Sequence, residues 1–380
     1  MTRWDAEAAV VGLGAWGASA LWKLAARGVD VLGFERFTPG HSLGSSHGGA
    51  RMFRLACLED PRLVPLAQRS RELWSELEDA AQEQLFVPTG GLLIGPENGR
   101  IAGGTLRSAR EHGIDVRTFT ARALRFQYPR HTAVPDHHIG VWEPTAGIVR
   151  PERAVRSAVA LARQAGARVY TDTRITSIEK VPGGVLLHTA QRTVRVRQVV
   201  VTAGSWLASL EPGLPLETVR MPITWFRQLE PDDSFTLDSF PVFMRELDDV
   251  RVLRGSGTEG GHDIRIGLED RSVSAKAIDP DDSDRSVASE DWSDLAAMLP
   301  AKIPGLEAVP ARVAVCMATR TPDGQFVIGR PGGDPRVVVA GGDNAHGFQH
   351  APGIGEALAD LVQSRPTRVP LDFLSPDRFA

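Results

Sequence analysis

The chain holds only two cysteines, Cys57 and Cys316, far apart in its 380 residues. With no export signal read at the start, no structural disulfide is expected between them, and no Cys/His set has the spacing of a zinc site, so no metal is expected. No apolar stretch approaches membrane-spanning length, and the polar start Met1–Glu7 runs straight into the first apolar segment. The expected location is therefore the cytoplasm, with no membrane partner. Charge of one sign is not in excess: 43 basic residues against 47 acidic ones give a formal −4. That balance, with no basic stripe, argues against nucleic acid and leaves small molecules as the default partners. There is no internal repeat. With 42% hydrophobic and 24% charged residues the composition is not that of a disordered chain, and the length suits two globular domains.

What is present is concentrated between Ala8 and Arg54. The apolar Ala8–Val11 leads into Gly12-Leu13-Gly14-Ala15-Trp16-Gly17 and then a helical pattern, Ala20, Leu21, Leu24, Ala25, ending at Gly28. This reads as strand, tight turn and helix. Gly12 permits the turn, Gly14 lets the backbone approach a pyrophosphate, and Gly17 lets helix and strand pack closely. A second strand, Val29 to Phe34, ends at Glu35, whose carboxylate suits the ribose hydroxyls of a bound dinucleotide.

Further along, Val64–Leu77 reads as an amphipathic helix, Val87–Gly95 as a strand pair around Gly90-Gly91, and Gly104–His112 as a helix. Pro151–Gly166 is helical in period, and Arg168–Tyr170 is a strand. Val199–Val201 gives a buried strand that ends in the small-residue turn Ala203-Gly204. From about 216 to 325 the segments alternate and are rich in turns, as in an antiparallel sheet. Arg336–Ala340, a glycine-rich loop to Pro352 and a helix over Gly353–Leu361 close the chain. The expected fold class is α/β, a Rossmann-type cofactor domain with a second, α+β substrate domain on a mainly antiparallel sheet. The discontinuous cofactor domain takes 1–80, 146–215 and 326–380; the substrate domain takes 81–145 and 216–325.

The order of five motifs resembles the monomeric sarcosine oxidase and N-methyltryptophan oxidase family of FAD-dependent amine oxidoreductases, over nearly the whole length. They are the Gly12–Gly17 fingerprint; Gly44-Ser45-Ser46-His47-Gly48 with Arg51 and Arg54; Val201–Trp206; Cys316-Met317 with Thr319, Pro322-Asp323 and Phe326–Ile328; and His346-Gly347-Phe348 before Gly353–Glu356. The resemblance implies a monomer that binds FAD through Gly12, Gly14, Gly17, Glu35, Arg36, His41, Ser46, Val169, Ala203, Gly204, Trp206, Met317, Gly347, Phe348 and Gln349. It implies a thioether from Cys316 to the flavin, whereas a cysteine after Val313–Val315 alone reads as a small buried hydrophobe. Arg51 would lie over the flavin ring, Arg54 would hold a substrate carboxylate, and His346 would lie near the flavin. From spacing alone, Arg51 and Arg54, three apart, could share a helix face.

The chain departs from that family at the substrate side. Arg265 stands where the family has a lysine that promotes electron transfer to oxygen; Lys276, farther on, reads as a surface residue. Gln349 replaces a lysine that helps hold the carboxylate, and Ala318 a pocket tyrosine. Arg254 falls at another tyrosine and Glu269 at a histidine, with Arg320 close by. The implied activity is oxidation of a secondary amine or an N-alkyl or cyclic amino acid larger than sarcosine, with molecular oxygen or another acceptor taking the electrons. An NAD(P)-dependent dehydrogenase gives no role to Cys316, and a non-catalytic flavoprotein gives none to Arg51 and Arg54.

Overall fold

Ala6–Val11 (β1) lies at the centre of a twisted sheet because both its faces are apolar: Ala8, Ala9 and Val10 are fully buried. The computed structural model describes residues 4–249, 251–261, 263–269, 277–282 and 284–380; Lys276 lies outside them. β1 pairs in parallel with Val31–Phe34 (β2) on one side and Thr193–Val201 on the other. Arg168–Tyr170 then flanks β2, and Val337–Gly341 flanks the end of Thr193–Val201, both in parallel. The chain thus runs outward from β1 in one direction and then in the other, which opens a crevice at the carboxyl end of β1.

The helix Ala15–Ala26 (α1) follows β1 after a turn that glycine alone allows. Gly12 has φ +89°, and a Cβ on Gly17 would sit 1.8 Å from the Gly12 carbonyl oxygen. Leu21 and Leu24 of α1 are fully buried with Leu66, Val155 and Leu358 from three other helices. Each such side chain contributes roughly 1.5–3 kcal/mol.

The second eight-stranded sheet runs in the order Arg312–Arg320, Glu217–Arg227, Asp263–Glu269, Val252–Ser256, Val242–Glu246, Gly91–Pro96, His138–Glu143, Arg117–Thr120. All its pairings are antiparallel except that of Val242–Arg245 with Gly91–Ile94. Its strands alternate: Ile264 and Ile266 enter an aromatic core with Phe226, Phe240 and Phe243, while Arg265, Gly267 and Glu269 face the other way. The mixed α/β class expected from the sequence is the one observed.

Two local expectations are corrected. Phe86–Pro88 and Gly91–Pro96 do not pair with each other; the first joins Gly147–Val149 and the second joins His138–Glu143. Gly90, at φ +67°, turns the chain from one sheet to the other instead of closing a hairpin. Arg51 and Arg54 share no helix either. Arg51–Phe53 is a strand (β3) held antiparallel to Gly147–Val149. No helix among the described residues is long and apolar enough to cross a membrane.

Candidate active site

A groove runs from the carboxyl end of β1 along Gly12, Gly14, Glu35, Arg36, His41, Ser46, Ala203, Gly204 and Trp206 to Cys316 and Met317. Its floor is the turn into α1. The Ala15 amide donates to Ser46 Oγ at 3.1 Å, and the Leu13 amide to Glu35 Oε2 at 2.8 Å, so the fingerprint loop is fixed from both sides. Burial disfavours the Glu35 charge, but bonds from His41 and the Phe37 and Leu13 amides outweigh it and hold the carboxyl below its usual range. An ionised acid at the end of β2 therefore faces the groove, as a ribose requires.

At the outer rim Asp281 ties together Arg36, Arg174 (2.6 Å) and the indole nitrogen of Trp206 (2.7 Å), which places Arg36 and Trp206. Val169 does not line the groove. It pairs with Gly33 inside the sheet, and the following Thr173, Arg174 and Ile175 supply that wall.

At the inner end Cys316 Sγ stands 3.7 Å from the carbonyls of Gly44 and Ser45 and 3.8 Å from Arg51 Nη2. Burial raises the thiol's pKa, against the nearby Arg51 charge. Ser45 Oγ donates to the Met317 carbonyl at 2.7 Å, closing the loop onto this strand. Cys57 is fully buried, distant from the groove, and its thiol is pushed far up by desolvation.

Beyond Arg51 the groove opens into a cavity of about 1120 Å³ lined by Arg54, Glu59, Arg254, Arg265, Ala318 and His346, with Arg320 at its rim. Arg51, Met221 and Phe348 line both spaces and form the junction. Arg51 and Arg54 both line this cavity but bond different partners. Arg51 Nη2 donates to the Ser45 carbonyl at 2.9 Å, whereas Arg54 turns away, Nη1 donating to the Ala56 carbonyl at 2.7 Å and Nη2 contacting Glu59.

Gln349 is buried and its Oε1 accepts the Arg54 amide at 2.9 Å, so it positions the arginine's backbone and offers no cation. The segment before it is pinned twice: Trp16 Nε1 donates to the Gly347 carbonyl and Trp74 Nε1 to the Gln349 carbonyl, both at 2.9 Å. His346 packs on Phe326 with ring centroids 4.7 Å apart, and burial lowers its pKa.

Sequence reasoning did not single out four acids that organise this region. Glu59 pairs with Arg54, and Asp281 holds the rim. Glu152 accepts the Gly48 amide at 2.6 Å, and Asp343, whose carboxyl burial raises to about 6, lies against the groove beside Arg51. On the outer sheet, ligand atoms of His137, His138 and Asp248 lie within 4.8 Å of one another, a grouping unrelated to the groove.

Residues 7–361, which build this groove and the adjoining cavity, match one family model, FAD dependent oxidoreductase. The chain belongs to that family. Its relatives include monomeric sarcosine oxidase of Streptomyces avermitilis, 33% identical over 376 residues covering 98% of this chain and 97% of that one. N-methyl-L-tryptophan oxidase of Yersinia pestis is 30% identical, covering 99% and 100%. Among solved structures, NikD, an unusual amino acid oxidase of nikkomycin biosynthesis, superposes with a TM-score of 0.85 at 23% identity over 98% of each chain. L-Proline dehydrogenase from P. horikoshii gives 0.83 at 21%, over 100% of this chain and 98% of that one. The protein is an FAD-dependent amine oxidoreductase of the sarcosine-oxidase type, as its motifs implied.

Proposed function

We propose that this family member oxidises the C–N bond of a secondary amine, or of an N-alkyl or cyclic amino acid larger than sarcosine, to an imine, passing the two electrons to oxygen to give hydrogen peroxide. The observation that carries this reading is the junction at Arg51, where a groove suited to a dinucleotide meets a cavity of about 1120 Å³. Bound FAD supplies the two-electron acceptor.

The chain's own residues fit that group. The α1 amides and Ser46 meet a pyrophosphate, Glu35 a ribose, and Cys316 stands in the wall where a thioether to the flavin would form. Arg54 is the candidate for the substrate carboxylate, and holding it there orients the amine toward the junction, so that proximity supplies much of the rate. Ala318, small and buried, leaves room for a bulkier side chain than sarcosine has. Arg51 and Arg265 provide fixed positive charge where negative charge develops. Because Arg265 replaces a lysine, the second reading is a dehydrogenase with an acceptor other than oxygen.

The cofactor segments 1–80, 146–215 and 326–380 are assigned on the sheet they build, parallel at its centre with antiparallel strands added at its edges, although Phe86–Pro88 from the substrate segment joins their small third sheet. We assign a cytoplasmic monomer. The test is anaerobic bleaching of the purified yellow protein by an amine panel, followed by mixing with aerated buffer. Rapid recolouring with peroxide supports the oxidase, and slow recolouring after bleaching moves the reading to the dehydrogenase. Absence of bleaching by every amine would overturn both.

A further inference from the structure

The cavity wall carries more positive charge than one substrate carboxylate requires. The register pairs Arg254 with Gly267 and Ser256 with Arg265, so Arg254 and Arg265 are diagonal neighbours on one sheet face. Gly267 lies beneath the first: a Cβ there would meet Arg254 Nε at 3.5 Å and Cγ at 3.6 Å, so the arginine lies across the glycine. Arg51 enters the same cavity from β3.

Among the described residues none of these three guanidiniums has a carboxylate partner. Arg254 Nη2 meets Met221 Sδ at 3.0 Å, Arg265 Nη1 bonds the Ala50 carbonyl, and Arg51 bonds the carbonyls of Ala50 and Ser45. The nearby acids are already engaged: Glu59 with Arg54, Glu269 with Arg100 at 3.0 Å, Glu152 with the Gly48 amide and Asp343 with the Ala345 amide. Loss of water lowers the pKa of both sheet arginines; the Arg51 charge adds to it, and Glu269 at Arg254 and Glu152 at Arg265 offset it only in part. A guanidinium does not relieve this by losing its proton, whereas a bound anion would relieve it.

We propose that Arg254, with Arg265 beside it, forms a second anion subsite, so that the amine oxidised here is an N-alkyl or cyclic amino dicarboxylate. Arg54 takes one carboxylate and Arg254 the other. The inference rests on the amine-oxidation reading for the reaction but not for the binding. A guanidinium fork offers two parallel N–H bonds to a planar carboxylate, which favours that group over a neutral polar one.

Oxidised holoenzyme is titrated with acetate, succinate and glutarate, following the flavin absorbance and, in parallel, calorimetric heat. Two charge-assisted contacts in place of one predict that succinate or glutarate binds about 30-fold tighter than acetate or better. In Arg254→Met that ratio falls to about 3-fold or less, and Arg254→Lys, which keeps charge without the fork, lies between. Equal affinities in the wild type, or an unchanged ratio in Arg254→Met, would overturn the subsite. Should the variants not fold, the wild-type ratio decides.

These ligands contain no amine, so the result is independent of turnover. Anaerobic bleaching by N-methylaspartate and N-methylglutamate, against N-methylalanine, tests the reaction separately. A dicarboxylate preference with no bleaching by these or any other amine of the panel leaves the subsite standing and overturns amine oxidation; bleaching without the preference does the reverse.

Discussion

Arg54 and Glu59 close on each other inside the cavity, the guanidinium Nη2 against the carboxylate and Nη1 on the Ala56 carbonyl. A substrate carboxylate that binds Arg54 must share it with Glu59. Glu59→Gln removes that competitor, and acetate binding to the holoenzyme is expected to tighten about 10-fold. Arg54→Met is expected to weaken it by a similar factor, read by the same flavin titration.

The same pair sets a pH dependence. Burial disfavours the Glu59 charge, but Arg54 more than compensates and lowers the carboxyl from 4.5 to about 2. Its stabilisation is complete above the unfolded value and is lost as pH falls through the folded one. Urea unfolding should show wild type above Glu59→Gln by about 3 kcal/mol at pH 7, the gap closing as pH falls from 4.5 toward 2. A gap independent of pH would mean that packing, not charge, stabilises the pair.

Arg265→Met tests the oxygen step. With one fixed cation removed beside the junction, reoxidation of the reduced protein in aerated buffer should slow by about 10-fold or more, while Arg265→Lys restores it. Unchanged recolouring in Arg265→Met would assign the arginine to substrate binding alone.

Cys316→Ala should leave FAD extractable. Acid precipitation of the wild type is expected to keep the yellow colour in the pellet, and the variant to release it into the supernatant. A colourless wild-type pellet would remove the thioether.

Gly17→Ala places a Cβ 1.8 Å from the Gly12 carbonyl oxygen, a contact that the turn cannot relieve without moving. Loss of flavin and a stability cost of about 3 kcal/mol or more are expected, measured by absorbance ratio and thermal unfolding.

Where local chemistry dictates structure, the sequence was readable. Gly12 and Gly17 announce their turn because no other residue fits it, and the helical period of Pro151–Gly166 matches the helix Pro151–Gln164 within two residues. The strand at Arg51 was not readable, because its partner Gly147–Val149 is remote in sequence and only tertiary pairing selects strand over helix there. The Gly90 turn has hairpin composition, yet its flanks belong to different sheets. Glu59, Glu152, Asp281 and Asp343 act through contacts that the fold creates, with no spacing rule to expose them. The arginine pair on the sheet face became legible only with the register, since Arg254 and Arg265 are neighbours across strands, not along one.

The bond from Trp16 to the Gly347 carbonyl spans 331 positions. Val337–Gly341 completes the sheet beside Thr193–Val201, and Leu358 packs with Leu21 of α1. The nucleotide fingerprint and one wall of its pocket thus come from segments more than 300 residues apart. Cofactor capture must therefore wait until both segments are present and packed, and a chain cut short before residue 337 would emerge colourless.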